Sequence, residues 1–358
     1  MATTAEYKLG EFTFPRGWFM VAESTEATQK PLAIRFFGQD MVLYRGESGR
    51  AVVLDAYCPH MGTHFANNET SYIVLDGKQI DGDGIRCPYH GWRFNADGKC
   101  DEIPYSPAPI PEKACVKAWP IQEWGGCIFL WNDPENGQPD YDLPELVEWE
   151  DEAWVNWRID HLGMLDSHPQ EIIDNITDKA HLGPIHGSMN MEYFETEFNG
   201  HEVRQRLAAG HRTLAEETLY NDTWYTGPGI LMSRMAGDYP SLMLITHTPV
   251  EDGSVKVWHG LMVKAPNSPP AAADIEAVHA YQEGSRLAFM QDFDVWANKR
   301  PCFQILQVVG DGPFGKARIW YEQFYNPRDK AKSFQERVDG KIITKGTQRD
   351  PWNKEVAE

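Results

Sequence analysis

Two short loops constrain this chain more than any other feature: Cys58-Pro59-His60-Met61-Gly62 and Cys87-Pro88-Tyr89-His90-Gly91-Trp92. Each carries one thiol and one imidazole beside proline and glycine, the residues that punctuate tight turns. If the fold brings the loops face to face, it creates a site with two sulfur and two nitrogen donors. The segments before them read as short strands: Phe12 to Phe14, Trp18 to Ala22, Leu32 to Phe37, Met41 to Tyr44 and Ala51 to Ala56, with a turn at Gly46-Glu47-Ser48-Gly49. The loops therefore belong to a β structure.

Facing loops of this kind hold a [2Fe-2S] cluster of the Rieske type, with Cys58 and Cys87 on one iron and His60 and His90 on the other. Neutral imidazoles in place of two thiolates remove negative charge, so the potential lies above that of an all-cysteine cluster. Tetrahedral zinc is the rival, because Cys and His pairs also bind it. Zinc fingers, however, pair Cys-x-x-Cys with histidines on a helix, whereas each loop here mixes the two residue types among strands. His64 is expected to stand beside the first loop without a role. Cys100, Cys115, Cys127 and Cys302 are irregularly spaced, which argues against a disulfide framework and for small buried residues.

The spacer between the loops, Ser71 to Leu75, Asp76-Gly77 and Lys78 to Ile80, reads as a β-hairpin with an Asp-Gly turn. It is either a plain extension of the domain, over 68–83, or a docking element at a subunit edge. A Pro-rich crossing and strands at Val116 to Ile121 and Cys127 to Trp131 follow. The linker-like run Asn132 to Pro139 then sets a boundary between domains 1–138 and 139–358.

A second metal signature lies at 174–186, Asp-Asn-Ile-Thr-Asp-Lys-Ala-His-Leu-Gly-Pro-Ile-His. Read as a helix, it places Asp174 or Asn175, Asp178 and His181 on one face. Gly183 and Pro184 break that helix and let His186 turn inward as well. Two imidazoles and a carboxylate make the facial triad of mononuclear iron(II) sites. The carboxylate is expected from the helix predicted over 269–299, where Asp292 lies on the inner stripe with Phe289, Val295 and Trp296. A carboxylate on an apolar face is costly unless paired or bound to metal. Asp294 points toward the opposite side and is expected in solvent. Strands at Trp154 to His161, Glu202 to Leu207, Thr213 to Tyr220, Ile230 to Met235, Ser241 to His247 and Val255 to Val263 describe an antiparallel sheet with room for a ligand. Arg318 to Phe324 reads as a last strand, and the tail as polar and helical.

With 358 residues, 42% of them hydrophobic, the chain can bury two cores. Its net charge of −20 argues against nucleic acid and anionic membrane as partners, since both attract basic surfaces. No apolar run approaches the roughly 18 residues of a membrane span, and the first residues lack a signal-like pattern, so a cytoplasmic location is expected.

Together these motifs resemble the catalytic α subunit of Rieske non-heme iron oxygenases. Asp-Asn-Ile-Thr-Asp-Lys-Ala-His (174–181), Met-Gln-Asp-Phe-Asp-Val-Trp (290–296) and Trp-Tyr-Glu-Gln-Phe-Tyr (320–325) are similar to the 3-ketosteroid 9α-hydroxylase oxygenase group. The longer spacer and Leu182-Gly183-Pro184 depart from that group. The resemblance implies an α+β chain, an all-β Rieske domain followed by a helix-grip catalytic domain, assembled as a ring-shaped homotrimer. In that ring Asp178, assisted by Asn175, bridges His90 of one subunit to His181 of the next. It implies iron at His181, His186 and Asp292, and electrons from NAD(P)H through a separate reductase or ferredoxin, because the chain has no flavin or nucleotide fingerprint. The implied reaction is hydroxylation of a hydrophobic, steroid-like substrate by one atom of O2. Aromatic cis-dihydroxylation, oxidative demethylation and a non-enzymatic Rieske electron carrier are the alternatives. Trp296 is a candidate pocket wall or an ordinary core residue.

Overall fold

The computed structural model describes residues 2–212, 214–236 and 239–344. The chain folds as two compact units, one comprising Phe19–Asn132 with Asn136–Pro139, the other the described residues of 1–18, 133–135 and 140–358.

The first unit is built from three small sheets: Gly17–Glu23 with Cys127–Asn132 and Ile121–Trp124; Leu32–Phe36 with Gln39–Arg45 and Ala51–Asp55; and Ile80–Asp81, Gly84–Arg86, Arg93–Phe94 and Cys100–Glu102 in sequence. Val42, Tyr44, Val52, Leu54, Phe65, Ile85 and Phe94 fill one core, and Cys58 and Cys87 belong to it. The two Cys/His loops thus leave a packed support rather than a floppy one. Phe12 to Phe14 forms no strand, and Val116 to Ile121 is not one strand: Ala118 makes a single bridge to Leu54, and only Ile121 lies in a strand, opposite Leu130. Cys115 is exposed, against expectation, while Cys100 and Cys127 are buried.

The spacer is not a hairpin. Tyr72–Leu75 is one helical turn, α1, because the Ser71 hydroxyl accepts from the Ile73 N–H (3.2 Å) and caps it. That cap outweighs the strand preference of Tyr-Ile-Val. Gly77, at φ +68°, then ends the turn in the left-handed conformation, so Asp-Gly closes a helix here instead of a hairpin.

The second unit is a nine-stranded antiparallel sheet with helices. Its strands are β1 (Trp154–Val155), β2 (Asp160–Leu165), β3 (Ser188–Asn199), β4 (Glu202–His211), β5 (Leu214–Thr226), β6 (Ile230–Ala236), β7 (Ser241–Glu251), β8 (Ser254–Lys264) and β9 (Gly340–Ile343). The order is β1-β8-β7-β6-β5-β4-β3-β9, with β2 also on β8. Helix α2 (Pro169–Ile173) precedes the second metal signature, and α3 (Ala272–Asn298) lies on the sheet through Phe293 and Trp296 against Ile245, Val255 and Val257. A polar ladder aligns α3: Asp160 on β2 accepts from His259 Nδ1 (2.8 Å) and from Gln282 Nε2 (2.9 Å), and His259 Nε2 meets Ser285 Oγ at 3.0 Å. His259 and Gln282 are buried and satisfied, so the ladder fixes helix phase without leaving an orphan.

Arg318 to Phe324 is helical rather than extended, within α4 (Phe314–Glu322) and the turn that follows, Gln323–Tyr325. Ala317, Trp320, Tyr321, Phe324 and Tyr325 are all buried in one core, at spacings of three, four, seven and eight from the first. That is a helix period, and it overrides the strand preference of aromatic residues taken singly. Each of these large side chains removes about 200 Å² from water, about 5 kcal/mol by area. The tail adds α5 (Ala331–Val338) and β9.

Candidate metal centres

In the first unit the two loops have matching backbones. The N–H of Gly62 donates to the Cys58 carbonyl (2.9 Å), and that of Gly91 to the Cys87 carbonyl (3.0 Å). Both glycines close their loops with positive φ, +72° and +75°, which other residues adopt only with strain. The thiols of Cys58 and Cys87 lie within hydrogen-bonding reach of one another. Their contact and burial push the Cys58 thiol up, while the same contact, with the N–H groups of Tyr89 and His90 and the Thr63 hydroxyl, makes Cys87 more acidic.

The rings of His60 and His90 stand 4.7 Å apart, His60 stacks on Trp92 at 4.4 Å, and Tyr89 leans on His90 at 3.8 Å. His60 Nδ1 is buried with no hydrogen-bond partner among the described residues. A buried imidazole nitrogen left open beside two facing thiols is what a metal cluster would satisfy. His64 closes the first loop: its Nδ1 accepts from the N–H groups of Ala66 (3.1 Å) and Asn67 (3.3 Å).

In the second unit the 174–186 stretch is not one helix. Two 3-10 turns, Asp174–Thr177 and Ala180–Leu182, flank Asp178, whose backbone is extended. Asp178 Oδ1 accepts from the N–H groups of Ala180 (2.9 Å) and His181 (3.4 Å), which starts the second turn. Its Oδ2 sits 3.4 Å from His181 Nδ1. Burial opposes charge on both groups, yet their attraction prevails, holding Asp178 below the usual carboxylate range and His181 above the usual imidazole range. The turn continues through Ile185 N–H to the His181 carbonyl (2.9 Å), bringing the His186 ring to 5.3 Å from that of His181. From α3, Asp292 reaches His186 Nε2 at 3.2 Å. The donor atoms of His181, His186 and Asp292 all lie within 4.8 Å of one another.

The structure thus brings together the three residues expected to bind iron. Asp294 is exposed on the far side of α3, and Val295 is also exposed, so the inner stripe is narrower than the sequence suggests. Trp296 packs with Phe289 and Phe293 in the core. Asn175 meets Asp178 through its backbone carbonyl (3.1 Å).

Sequence reasoning missed what holds this stretch. Asp174 does not face Asp178; it pairs with Arg318 of α4, Nε to Oδ1 at 3.2 Å and Nη2 to Oδ2 at 2.5 Å. Glu171 accepts from the Cys302 N–H (2.9 Å) and also meets Tyr7 and Lys299. Read as a helix, α4 would have placed Arg318 on a flank beside the apolar stripe, the one signal available. Gly312 lies so close that a Cβ there would stand 1.4 Å from the Thr177 carbonyl oxygen. Gly312→Ala must push the backbone beside Asp178 aside. We expect a loss of about 2 kcal/mol, read as a lower Tm, with weaker iron retention on dialysis.

A family model described as the 3-ketosteroid 9α-hydroxylase C-terminal domain matches residues 130–325, and one for the Rieske [2Fe-2S] domain matches residues 17–120. The chain belongs to the 3-ketosteroid 9α-hydroxylase oxygenase family. A 3-ketosteroid-9-alpha-monooxygenase oxygenase component of Rhodococcus rhodochrous is 32% identical over 378 residues, spanning 100% of this chain and 95% of that protein. A second from the same organism is 33% identical over 365 residues, covering 96% and 90%. Pseudomonas putida CBB5 NdmA with caffeine superposes with a TM-score of 0.69 at 18% identity, over 96% of this chain and 99% of that one, a likeness of fold. As a member of this family the protein is the oxygenase component of a Rieske non-heme iron monooxygenase, with a [2Fe-2S] cluster and a mononuclear iron. Among the described residues no helix is long and apolar enough to cross a membrane.

Proposed function

We propose that this protein hydroxylates a hydrophobic, polycyclic, steroid-like substrate, with iron(II) at His181, His186 and Asp292 and the Rieske cluster at Cys58, His60, Cys87 and His90. The observation that carries this reading is the convergence of two imidazoles and a buried carboxylate within 4.8 Å, the donor set of a facial triad, which would hold iron(II). The named activity of relatives about one-third identical over nearly the whole chain supports the substrate class.

Bound in these sites, the cluster would supply single electrons and the iron(II) would supply dioxygen activation. The remaining work falls to the protein. Asp178 faces His181 Nδ1, which orients the ring and leaves Nε2 for the metal. Asp178 is part-buried, with 24% of its side chain exposed, so that contact competes with water only in part. Asp292 is carried by a helix whose phase the Asp160–His259–Ser285 ladder sets, so its carboxylate is aimed before any metal arrives. The domains would divide at 138/139, electrons would come from NAD(P)H through a separate reductase or ferredoxin, and the working form would be a homotrimer in which Asp178 links His90 of one copy to His181 of another.

The test is turnover of a steroid panel under labelled O2 with a reconstituted reductase. Substrate-dependent NADH consumption, one labelled atom in the product and one in water is the expected outcome. Two labelled atoms in one product would point to cis-dihydroxylation, and an oxidised one-carbon product to demethylation. Two irons per chain instead of three would reduce the protein to an electron carrier.

A further inference from the structure

In the first unit the spacer is tied back onto the second Cys/His loop. Asn68 Oδ1 accepts from the N–H groups of Thr70 (3.2 Å) and Ser71 (2.9 Å), which presents Ser71 as the cap of α1. Because Ser71 Oγ already accepts from Ile73 N–H, its own hydrogen is free to point elsewhere, and the Pro88 carbonyl oxygen lies 2.6 Å away. Pro88 is buried, so this carbonyl has little water to compete for it. Ile73 closes over the same loop: its Cδ1 lies 3.6 Å from where a Cβ on Gly91 would stand. Pro88 and Tyr89 share one peptide unit. Its carbonyl accepts from Ser71, and its N–H belongs, with the His90 N–H, to the groups around the Cys87 sulfur that make this thiol more acidic.

We propose that Ser71 is a positioning residue that raises the reduction potential of the cluster, by polarising the Pro88–Tyr89 peptide and so strengthening its N–H bond to the Cys87 sulfur. The proposal rests on Cys87 and His90 being cluster ligands. A hydrogen bond accepted at one end of an amide makes the other end a better donor. Hydrogen bonds to ligand sulfur stabilise the reduced form, which carries one more electron, and so shift the potential upward. The spacer therefore acts on the electron-transfer site through a hydroxyl that only a capped helical turn could hold in this place.

The experiment is a redox titration of the full chain with its cluster, with dithionite as the one-electron source, following the Rieske absorption and EPR signal. Ser71→Ala should keep the cluster and shift the reduction equilibrium about threefold toward the oxidised form, about 28 mV at 59 mV per tenfold for one electron. Ser71→Thr, which keeps the donor, should retain the wild-type value, and Ser71→Cys, a weaker donor, should fall between. An unchanged potential in Ser71→Ala, or a series that follows side-chain size instead of donor strength, overturns the proposal. Should Ser71→Ala fail to hold a cluster, the Thr and Cys variants decide, equal potentials overturning it. Cys87→Ala tests the ligand assignment separately: full cluster content there would remove that assignment rather than the effect of Ser71.

Discussion

Alanine in place of Asp292 is expected to empty the mononuclear iron site and leave the [2Fe-2S] cluster untouched. The carboxylate is the one proposed ligand that comes from α3, and it lies 3.2 Å from His186 Nε2 with its side chain almost wholly buried. Without it two imidazoles from one turn remain, too few donors to hold iron(II) against dilution. Turnover should fall by at least about a thousandfold, the effect of about 4 kcal/mol on the barrier. Iron analysis should drop from three per chain to two while the Rieske EPR signal keeps its intensity. Loss of both signals together would mean that the two sites are not independent, and retention of three irons would mean that Asp292 is not a ligand. The fold should survive, because truncation removes a buried charge along with its partner's metal.

Asp178→Asn is the second large effect. Asparagine keeps the shape and the side-chain oxygen that accepts from Ala180 N–H, so the turn should still form. What it loses is the negative charge 3.4 Å from His181 Nδ1. Both metals should remain bound, while turnover coupled to substrate falls about a hundredfold, the upper range for a residue that orients a metal ligand. Asp178→Ala gives up the cap as well and should lose about 1 kcal/mol of stability in addition. Normal rates in the asparagine variant would remove any electrostatic part for this carboxylate.

The chemistry was more legible in the sequence than the local structure that presents it. The Cys/His loops could be read because their spacing is a property of neighbouring residues, and Asp292 because a carboxylate among Phe289, Val295 and Trp296 needs an explanation, even though Val295 turns out to be exposed. Most strands of the second unit announced themselves by alternation. Where the reading failed, a local hydrogen bond or a longer-range packing pattern had overridden residue preference. The Ser71 cap turned a strand-like run into a helix, and the buried stripe from Ala317 to Tyr325 did the same for a run rich in aromatic residues. Strand β3 went unseen because its buried positions, Met191, Phe194, Glu195, Thr196 and Phe198, do not alternate, and its pairing with β4 shifts between Met189 and Tyr193. The Asp174–Arg318 pair needed α4 to be a helix before it could be inferred.

The last described strand has a bearing on handling the protein. β9 lies along β3, pairing Ile343 with Glu195 and Gly340 with Phe198. Without that short segment, Glu195 to Phe198 would join the sheet's open margin, their amide and carbonyl groups facing water and any passing strand. A purification handle or a shortened terminus placed too near residue 343 would therefore invite self-association along β3, far along the chain from where the change was made.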